Sequence, residues 1–274
     1  MIDLHTHTTA SDGRSRPADL VALAAAAGIR TLSVTDHDTV GGCADAEAAC
    51  RTAGIEFVSG IEITAVRDEV DVHVLGYFFD VGSPALATFL AEQRQRRLDR
   101  VREILGRLAT LGVSLDADAI LRPGKDDEAK AAGRPWVARA LVAAGQVATT
   151  DEAFDRWLAR GRPAFVARRA APPGEIVARI HDAGGVASLA HPGLAGHDEW
   201  LPELVDAGLD ALEAYHSEHD AADTARYLDL ARRFGLAVSG GSDFHGDPSH
   251  GAAHLGGVSL PRGEFEKLKR RSLG

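Results

Sequence analysis

Nine side chains of metal-binding type recur along the chain, and most of them follow short apolar runs. They are His5, His7, Asp12, His37, Glu62, His73, His191, Asp243 and His245. Imidazole nitrogens and carboxylate oxygens are ligands that divalent transition metals accept. A fold that gathers all nine in one place would hold several divalent cations, so the pattern predicts a multinuclear metal site.

The spacing of these residues supports this interpretation. His5 and His7 lie two apart on a predicted strand, so their rings share a face with Cα atoms roughly 7 Å apart. Asp243 and His245 repeat the spacing after an apolar run that ends in two glycines, which would allow close backbone approach. A single His-x-His pair is often incidental, and an Asp-Gly turn such as that at Asp12 is usually only a turn. The recurrence at successive strand ends favours the metal site.

Strand and helix patterns alternate in the first and last thirds of the chain. Strands are predicted over residues 1–6, 31–35, 57–64, 70–78, 185–190, 209–215 and 236–241, and helices over 16–27, 42–53, 172–183, 199–207 and 221–234. Strands separated by helices indicate right-handed βαβ units and a parallel sheet or barrel. In a barrel the strand ends meet at one face, which is where such ligands would converge.

The middle of the chain breaks this pattern. A long charged helix over 85–111 is followed by helical segments near 136–144 and 151–159, and then by the turn Gly161-Arg162-Pro163. We therefore expect a barrel built from residues 1–84 and 164–274. Residues 85–163 would form a helical insertion that caps the active site.

Composition narrows the classes of protein. The 274 residues are 45% hydrophobic and carry a net charge of −10, which disfavours binding along duplex DNA. No run approaches the roughly 18 apolar residues that a membrane span needs, and MIDLHTHT lacks the features of a signal peptide. Cys43 and Cys50 lie in one alanine-rich helix and indicate reduced thiols. We expect a cytoplasmic protein that binds neither membranes nor duplex DNA.

The motifs resemble those of the polymerase and histidinol phosphatase (PHP) family. The resemblance spans the chain: His5-x-His7, Ser11-Asp12-Gly13, Thr35-Asp36-His37-Asp38, Gly60-Ile61-Glu62, His73, Ala190-His191-Pro192 and Gly241-Ser242-Asp243-Phe244-His245. It implies an α/β fold, a distorted (β/α)7 TIM-like barrel with a trinuclear metal centre. His5, His7, Glu62 and Asp243 would hold one metal, Glu62, His73 and His191 a second, and Asp12, His37 and His245 a third.

The implied chemistry is phosphoester hydrolysis. Three divalent ions carry about +6 against −3 from Asp12, Glu62 and Asp243, and the remainder of about +3 favours a phosphate dianion over a neutral amide. A water shared between metals would be acidified to hydroxide and attack phosphorus in line, with Asp243 among the catalytic residues. Mn²⁺ is our first choice for the two to three ions, with Zn²⁺ or Fe²⁺ as alternatives.

Substrate contacts are predicted beyond the metal ligands. His216 could protonate the leaving group or bind phosphate, or it could be an ordinary loop histidine. Arg134 opens a helix and could clamp phosphate, with Arg162, Arg168 and Arg14 as weaker candidates. Trp136 could stack on a base or belong to the core. The remaining histidines, His181, His197, His219, His250 and His254, are given no role.

The resemblance narrows the substrate. The order of motifs is similar to that of members that remove the 3′-phosphate from nucleoside 3′,5′-bisphosphates; their relatives trim short single-stranded RNA from its 5′ end. Several relatives carry a histidine where this chain has Trp136. The alternatives are a histidinol-phosphate type phosphatase, an amidohydrolase-type C–N hydrolase and a non-catalytic, metal-stabilised module. Amidohydrolase sites often use a bridging lysine, and this chain has no lysine before Lys125.

Overall fold

A computed structural model describes residues 1–127, 130–246 and 254–273, and it contains a seven-stranded barrel. The strands are β1 (Ile2–Asp3), β2 (Thr31–Val34), β3 (Glu56–Arg67), β4 (Val70–Tyr77), β5 (Val186–Leu189), β6 (Ala211–His216) and β7 (Ala237–Gly241). They follow each other round the sheet in chain order. Backbone hydrogen bonds from Leu4 N–H to the Gly240 carbonyl (3.2 Å) and from His7 N–H to the Phe244 carbonyl (2.9 Å) join the first and last strands. The predicted α/β barrel is confirmed.

One strand runs against the others, which corrects the expectation of parallel strands. β4 pairs antiparallel with both β3 and β5, whereas the remaining neighbours are parallel. A two-residue turn, Asp68 and Glu69, joins β3 to β4, and both residues have positive φ angles of 49° and 63°. Positive φ at both central residues matches the right-handed twist of a tight hairpin, but such turns usually contain Asn or Gly. The Asp-Glu pair therefore gave no sequence cue for the reversal.

Eleven α-helices accompany the sheet in the described ranges. They are α1 (Pro17–Ala26), α2 (Cys43–Ala53), α3 (Pro84–Thr110), α4 (Ala117–Asp126), α5 (Arg134–Ala143), α6 (Thr150–Ala153), α7 (Pro173–Asp182), α8 (Pro192–Ala195), α9 (Leu201–Asp206), α10 (Ala221–Phe234) and α11 (Arg262–Arg271). A π-helical turn (Phe154–Leu158) follows α6, and a 3₁₀ turn (Asp198–Trp200) precedes α9. Helices α4, α8 and α11 were not predicted.

Local chemistry explains where several helices begin and end. Ser83 accepts the Leu86 N–H at the start of α3, and Pro84 occupies the first turn, where its missing N–H costs nothing. Asp220 and Asp223 form a reciprocal capping box at the start of α10. Gly54 ends α2 in the left-handed conformation with φ 68°.

Buried apolar side chains form separate clusters. The largest lines the barrel and the helices against it, and it includes Leu86, Phe89 and Leu90 from the start of α3. A second cluster comprises residues between Leu98 and Val166, so α3 contributes to both. A third lies between α1, α2 and β2. Across the three described ranges, no helix is both long and apolar enough to cross a lipid bilayer.

Candidate active site

The structure brings all nine predicted side chains together at one end of the barrel. They come from or directly follow six different strands, which places imidazoles and carboxylates around a common centre. His73 lies in the first half of the antiparallel β4, yet it faces the same end because its strand is reversed. Within the described ranges, three of the four sets of ligand-type atoms that lie within 4.8 Å of one another consist only of predicted metal ligands. The fourth adds His216 to His5 and Asp243.

Glu62 lies at the middle of this cluster and presents its two oxygens to different groups. Its Oε2 lies 3.5 Å from His5 Nε2, 3.3 Å from His7 Nε2 and 3.0 Å from His37 Nδ1. Its Oε1 lies 2.7 Å from His73 Nδ1 and 3.0 Å from His191 Nε2. The carboxylate is almost fully buried, so it is placed to serve two cations at once.

The remaining carboxylates lie on either side of His7. Asp243 Oδ1 is 3.3 Å from His5 Nε2 and 3.1 Å from His7 Nε2. Asp12 is 3.4 Å from His245 Nε2 and 3.7 Å from His37 Nε2. Each carboxylate is therefore surrounded by imidazoles, as a set of shared cation sites requires.

The electrostatics keep these carboxylates ionised. Burial opposes ionisation of Glu62, but His37, His73 and His5 lower its pKa well below the usual value. Burial likewise opposes ionisation of Asp243, and His5 and His216 lower its pKa well below the ordinary range. For His7, burial and the nearby ring of His245 lower the pKa to about 3, so the ring stays neutral and offers lone pairs.

Several buried polar atoms in the cluster have no hydrogen-bond partner among the residues that the structure describes. Among the predicted ligands these atoms are His5 Nε2, His7 Nδ1 and Nε2, His37 Nδ1, Glu62 Oε2, His191 Nδ1 and Asp243 Oδ1. Leaving one buried polar atom unpaired costs roughly 1–3 kcal/mol. So many in one place indicate that the cluster is built to bind cations, and its nitrogen and oxygen donors suit divalent metal ions.

Buried aspartates that the sequence interpretation did not use hold the ligand-bearing loops. Asp36 accepts hydrogen bonds from the backbone and hydroxyl of Thr8 (2.8 and 2.6 Å) and from the Ser11 hydroxyl (2.6 Å), next to Asp12. Asp3 accepts the N–H of Ser242 at 2.9 Å, next to Asp243. Asp36 directly precedes the predicted ligand His37, and Asp3 is the last residue of β1. These positions were the cue that the sequence offered for both residues.

The predicted close approach at the last strand is present. A Cβ on Gly241 would lie 2.3 Å from the His5 backbone nitrogen, and one on Gly240 would lie 2.6 Å from the Tyr215 Cβ. Only glycine allows β7 to lie this close to β1 and β6. This packing brings Asp243 against the His-x-His pair.

His216 lies beside His5 and Asp243 in the cluster, and its predicted role in protonating the leaving group or binding phosphate stays a prediction. Its side chain is fully buried, and its Nδ1 accepts the backbone N–H of Glu218 at 3.1 Å. In the neutral ring the proton must therefore be on Nε2, which lies 3.4 Å from Asp243 Oδ2. This geometry favours support of Asp243 over proton donation to a leaving group.

A cavity of about 380 Å³ opens directly onto the cluster. Its lining includes four of the predicted ligands, Asp12, His37, His73 and His191, together with three arginines, Arg97, Arg134 and Arg168. The rest of the lining is mainly apolar: Val70, Val72, Pro135, Phe154, Leu194 and Ala195. Its volume is within the range of small-molecule sites.

Two aspartates, the buried Asp38 and the partly exposed Asp71, orient the arginines. Arg97 Nε lies 2.5 Å from Asp38 Oδ2, and Arg168 approaches Asp38 at 3.6 Å. Asp71 lies 3.3 Å from Arg168 Nε and 3.9 Å from Arg134 Nη2. Arg97 was not predicted as a contact residue, because it lies in a run of charged and polar residues within α3. Its position on the helix face toward the barrel could have singled it out.

Other predicted contacts lie outside this cavity. Arg162 is exposed in its turn and does not line the cavity, so the structure does not support its predicted contact. Arg14 is also exposed, although its backbone N–H binds the His245 carbonyl. Trp136 is partly buried and packs against the second apolar cluster, between Leu98 and Val166. His250, for which no role was predicted, lies outside the described residues.

The chain resembles known proteins over most of its length. A model of the PHP domain matches residues 3–131. The chain is 35% identical over 260 residues to a 3′,5′-nucleoside bisphosphate phosphatase of Chromobacterium violaceum, covering 93% of this chain and 90% of that protein. It is also 35% identical over 250 residues to the 5′-3′ exoribonuclease Rnm of Salmonella typhimurium, covering 89% and 84%.

Solved structures agree with these sequence matches. A structure from Bifidobacterium adolescentis, described as a candidate metal-dependent phosphoesterase, superposes with a TM-score of 0.88 at 32% identity. It covers 98% of this chain and 95% of that chain. With the barrel, the cluster and the motifs in agreement, the chain belongs to the PHP domain family.

Proposed function

We propose that this protein removes the 3′-phosphate from nucleoside 3′,5′-bisphosphates, for example converting adenosine 3′,5′-bisphosphate to AMP. At the level of reaction class, the chain is a metal-dependent phosphoester hydrolase. The observation that carries the substrate proposal is the cavity that joins the histidine and carboxylate cluster to three arginines. One phosphate would lie at the cluster, and the second would lie at the arginines.

We assign three metal positions to the cluster. His5, His7, Glu62 and Asp243 would hold the first, Glu62, His73 and His191 the second, and Asp12, His37 and His245 the third. The short distances from both Glu62 oxygens support a bridging role for this residue. The mixed nitrogen and oxygen donors suit Mn²⁺, Fe²⁺ and Zn²⁺, and Mn²⁺ is our first choice among them.

The bound ions would supply Lewis-acid chemistry: they activate a water molecule and stabilise charge on the phosphoryl group. The chain's own residues set the geometry around them. The carboxylates of Asp12, Glu62 and Asp243 would hold the cations in place. As a metal ligand, Asp243 would also lie next to the reacting groups. His37, His73 and His191 line the cavity, so the phosphoryl group would lie next to them.

The arginines would bind the phosphate that is retained. Arg97, Arg134 and Arg168 carry three positive charges against two negative charges on Asp38 and Asp71, which leaves about +1 for an anion. Because the ion pairs hold the guanidinium groups in place, little side-chain entropy would be lost on binding. Arg97 and Arg134 come from the proposed insertion, residues 85–163, and Arg168 comes from the proposed barrel, residues 1–84 and 164–274.

The apolar part of the cavity would contact the nucleoside. Phe154 and Leu194 lie on its lining, and Leu194 is 57% exposed without a ligand. An exposed leucine and an aromatic ring on the lining of one cavity offer apolar surface for a base or sugar. A nucleotide therefore suits this cavity better than a small polar ester such as histidinol phosphate.

The second candidate function is 5′-3′ exoribonuclease activity on short RNA. The similarity to the Rnm exoribonuclease supports it, and the same arginines could bind a 5′-phosphate. The two activities differ in the bond that is cleaved, so a product assay separates them. For the whole protein we also propose a cytoplasmic location, in keeping with the two buried, reduced thiols.

A substrate screen tests the proposal. Mn²⁺-loaded protein would be assayed for phosphate release from adenosine 3′,5′-bisphosphate, AMP and histidinol phosphate, and for mononucleotide release from short 5′-phosphorylated RNA. We expect the bisphosphate to give the highest kcat/KM. Faster cleavage of RNA would support the exoribonuclease instead. Failure to hydrolyse any of the four would contradict both functions.

A further inference from the structure

A buried glutamate behind the cluster links two of the proposed metal positions. Glu213 lies on β6 and is fully buried. Its Oε1 lies 2.9 Å from His5 Nδ1, and its Oε2 accepts the backbone N–H of His191 at 2.7 Å. His5 and His191 belong to different strands and to different proposed metal positions, so one carboxylate connects both.

The contact with His5 determines which ring nitrogen faces the cluster. A carboxylate accepts hydrogen bonds, so His5 donates from Nδ1, and the lone pair is left on Nε2. His5 Nε2 is the atom directed at Glu62 and Asp243, at 3.5 and 3.3 Å. A carboxylate behind a metal-binding imidazole commonly fixes the ring orientation and increases its basicity.

The contact with His191 stabilises an unusual backbone. His191 has a φ angle of 26°, a region that few residues other than glycine adopt. The hydrogen bond from its N–H to Glu213 holds the peptide at this point, where its ring nitrogen Nε2 lies 3.0 Å from Glu62 Oε1. His219 holds the next turn, because its Nε2 accepts the N–H of Gly193 at 3.2 Å.

We propose that Glu213 is a positioning residue that sets the tautomer of His5 and the backbone of His191, and thereby tunes metal binding at two positions together. This inference rests on the metal positions proposed above. Both partners of Glu213 are donors, so two acceptor oxygens are required. A glutamine has one acceptor oxygen, and its amide NH₂ would face either the His5 N–H or the His191 N–H.

The variant Glu213→Gln tests this requirement with almost no change in volume. We expect Mn²⁺ binding, measured by calorimetry and by the electron paramagnetic resonance signal of the free ion, to weaken by about 10- to 100-fold. The matched control is Glu47→Gln on the exposed face of α2, which should bind Mn²⁺ like the wild type. Melting of the metal-free proteins shows whether each variant is folded.

A double substitution tests whether Glu213 acts through His5. In a His5→Asn background, the part of the loss caused by Glu213→Gln that acts through His5 should disappear, because the ring it orients is gone, and only the part that acts through His191 should remain. A purely structural role would give equal losses in both backgrounds and would overturn the proposal. If Glu213→Gln does not fold, ¹⁵N spectra of the Zn²⁺-loaded wild type still show which ring nitrogen of His5 carries the proton. A proton on His5 Nδ1 supports the proposal, and a proton on Nε2 overturns it.

The outcomes also separate this inference from the proposed function. If the wild type binds no divalent ion, the metal assignment itself fails. If the wild type binds Mn²⁺ and Glu213→Gln binds it equally well, only the role of Glu213 is wrong.

Discussion

Glu62 Oε1 lies 2.7 Å from Nδ1 of His73, and the β3–β4 hairpin alone creates this contact. His73 is directly opposite Thr64 in the antiparallel register, and Glu62 is two residues from Thr64 on the same face. Diagonal neighbours of this kind are within reach of long side chains. The hairpin therefore places a buried carboxylate between the His73–His191 pair and the His5–His7 pair.

The variant Glu62→Gln should lose more than one metal ion. An amide has a single acceptor oxygen and no charge, so it cannot serve cations on both sides. We expect metal content, measured by elemental analysis, to fall by more than one equivalent, and phosphate release to be abolished while the fold is retained. Full metal content and activity would show that Glu62 does not bridge.

Arg134→Ala should raise KM for a bisphosphate far more than for a simple phosphomonoester. Arg134 lines the cavity together with Arg97 and Arg168, where the second phosphate is proposed to bind. Loss of a charge-assisted contact typically costs roughly 1.5–3 kcal/mol, which is about a 10- to 100-fold rise in KM. Arg162→Ala is the control, since Arg162 is exposed outside the cavity. Equal changes with both substrates would place Arg134 outside the substrate site.

Metal binding should release protons and strengthen as the pH rises. Burial opposes protonation of His245, but Asp12 and Asp243 raise its pKa to about 9. Near neutral pH its ring is protonated in the metal-free protein and must lose that proton to bind a cation. Calorimetry in two buffers of different ionisation enthalpy should show proton release, and affinity should increase until the pH passes about 9. Affinity that does not change with pH would contradict this.

The raised pKa of His245 has the opposite effect on the stability of the metal-free protein, which falls as the pH rises. A raised pKa means that the folded state binds the proton more tightly than the unfolded chain does. The stability contributed by the His245 pairs is fully present below the ordinary histidine pKa, and it is lost as the pH rises toward about 9. Melting of metal-free protein across this window provides an internal check.

Gly241→Ala should destabilise the protein and weaken the metal site. Its new Cβ would lie 2.3 Å from the His5 nitrogen and 2.6 Å from the His5 Cβ, so β1 and β7 would have to separate. Overpacking of this kind typically costs about 1–3 kcal/mol in the free energy of unfolding. The control is Gly106→Ala in α3, where the added Cβ would meet no described atom within 4 Å beyond the backbone of its own helix. That substitution should stabilise the helix by about 0.5–1 kcal/mol.

The two thiols should resist alkylation in the folded protein. Burial raises the pKa of Cys43 to about 12 and that of Cys50 to about 11. Only the thiolate reacts, so both should be inert near pH 8. Titration with a thiol reagent should detect no reactive thiol in native protein and two after denaturation. Rapid labelling of the native protein would show that α2 opens easily.

The sequence predicted the metal-type cluster well because strand ends have a local signature. Polar ligands such as His37 and His191 directly follow apolar runs, and parallel strands bring such positions to one face. The reversal of β4 escaped prediction because Asp68 and Glu69 adopt a tight turn without glycine. His73 was nevertheless among the predicted ligands. It joins the cluster because its strand, although reversed, places it at the same end of the barrel.

The supporting residues were harder to predict because their roles depend on distant partners. Glu213 contacts His5 across 208 residues, and Arg97 contacts Asp38 across 59. Neither sits in a motif with fixed spacing. Asp38, His191 and Asp243 also adopt positive φ angles, which cost roughly 1–3 kcal/mol each. Such strain is held by tertiary contacts, so sequence pattern alone does not reveal it.

The most direct test of the proposed function follows the two phosphorus atoms of adenosine 3′,5′-bisphosphate by ³¹P NMR. Metal-free protein and protein reloaded with Mn²⁺ would be compared. We predict that only the reloaded protein releases inorganic phosphate, and that the remaining nucleotide is AMP with its 5′-phosphate intact. Release of the 5′-phosphate, or equal turnover without metal, would contradict the proposed function.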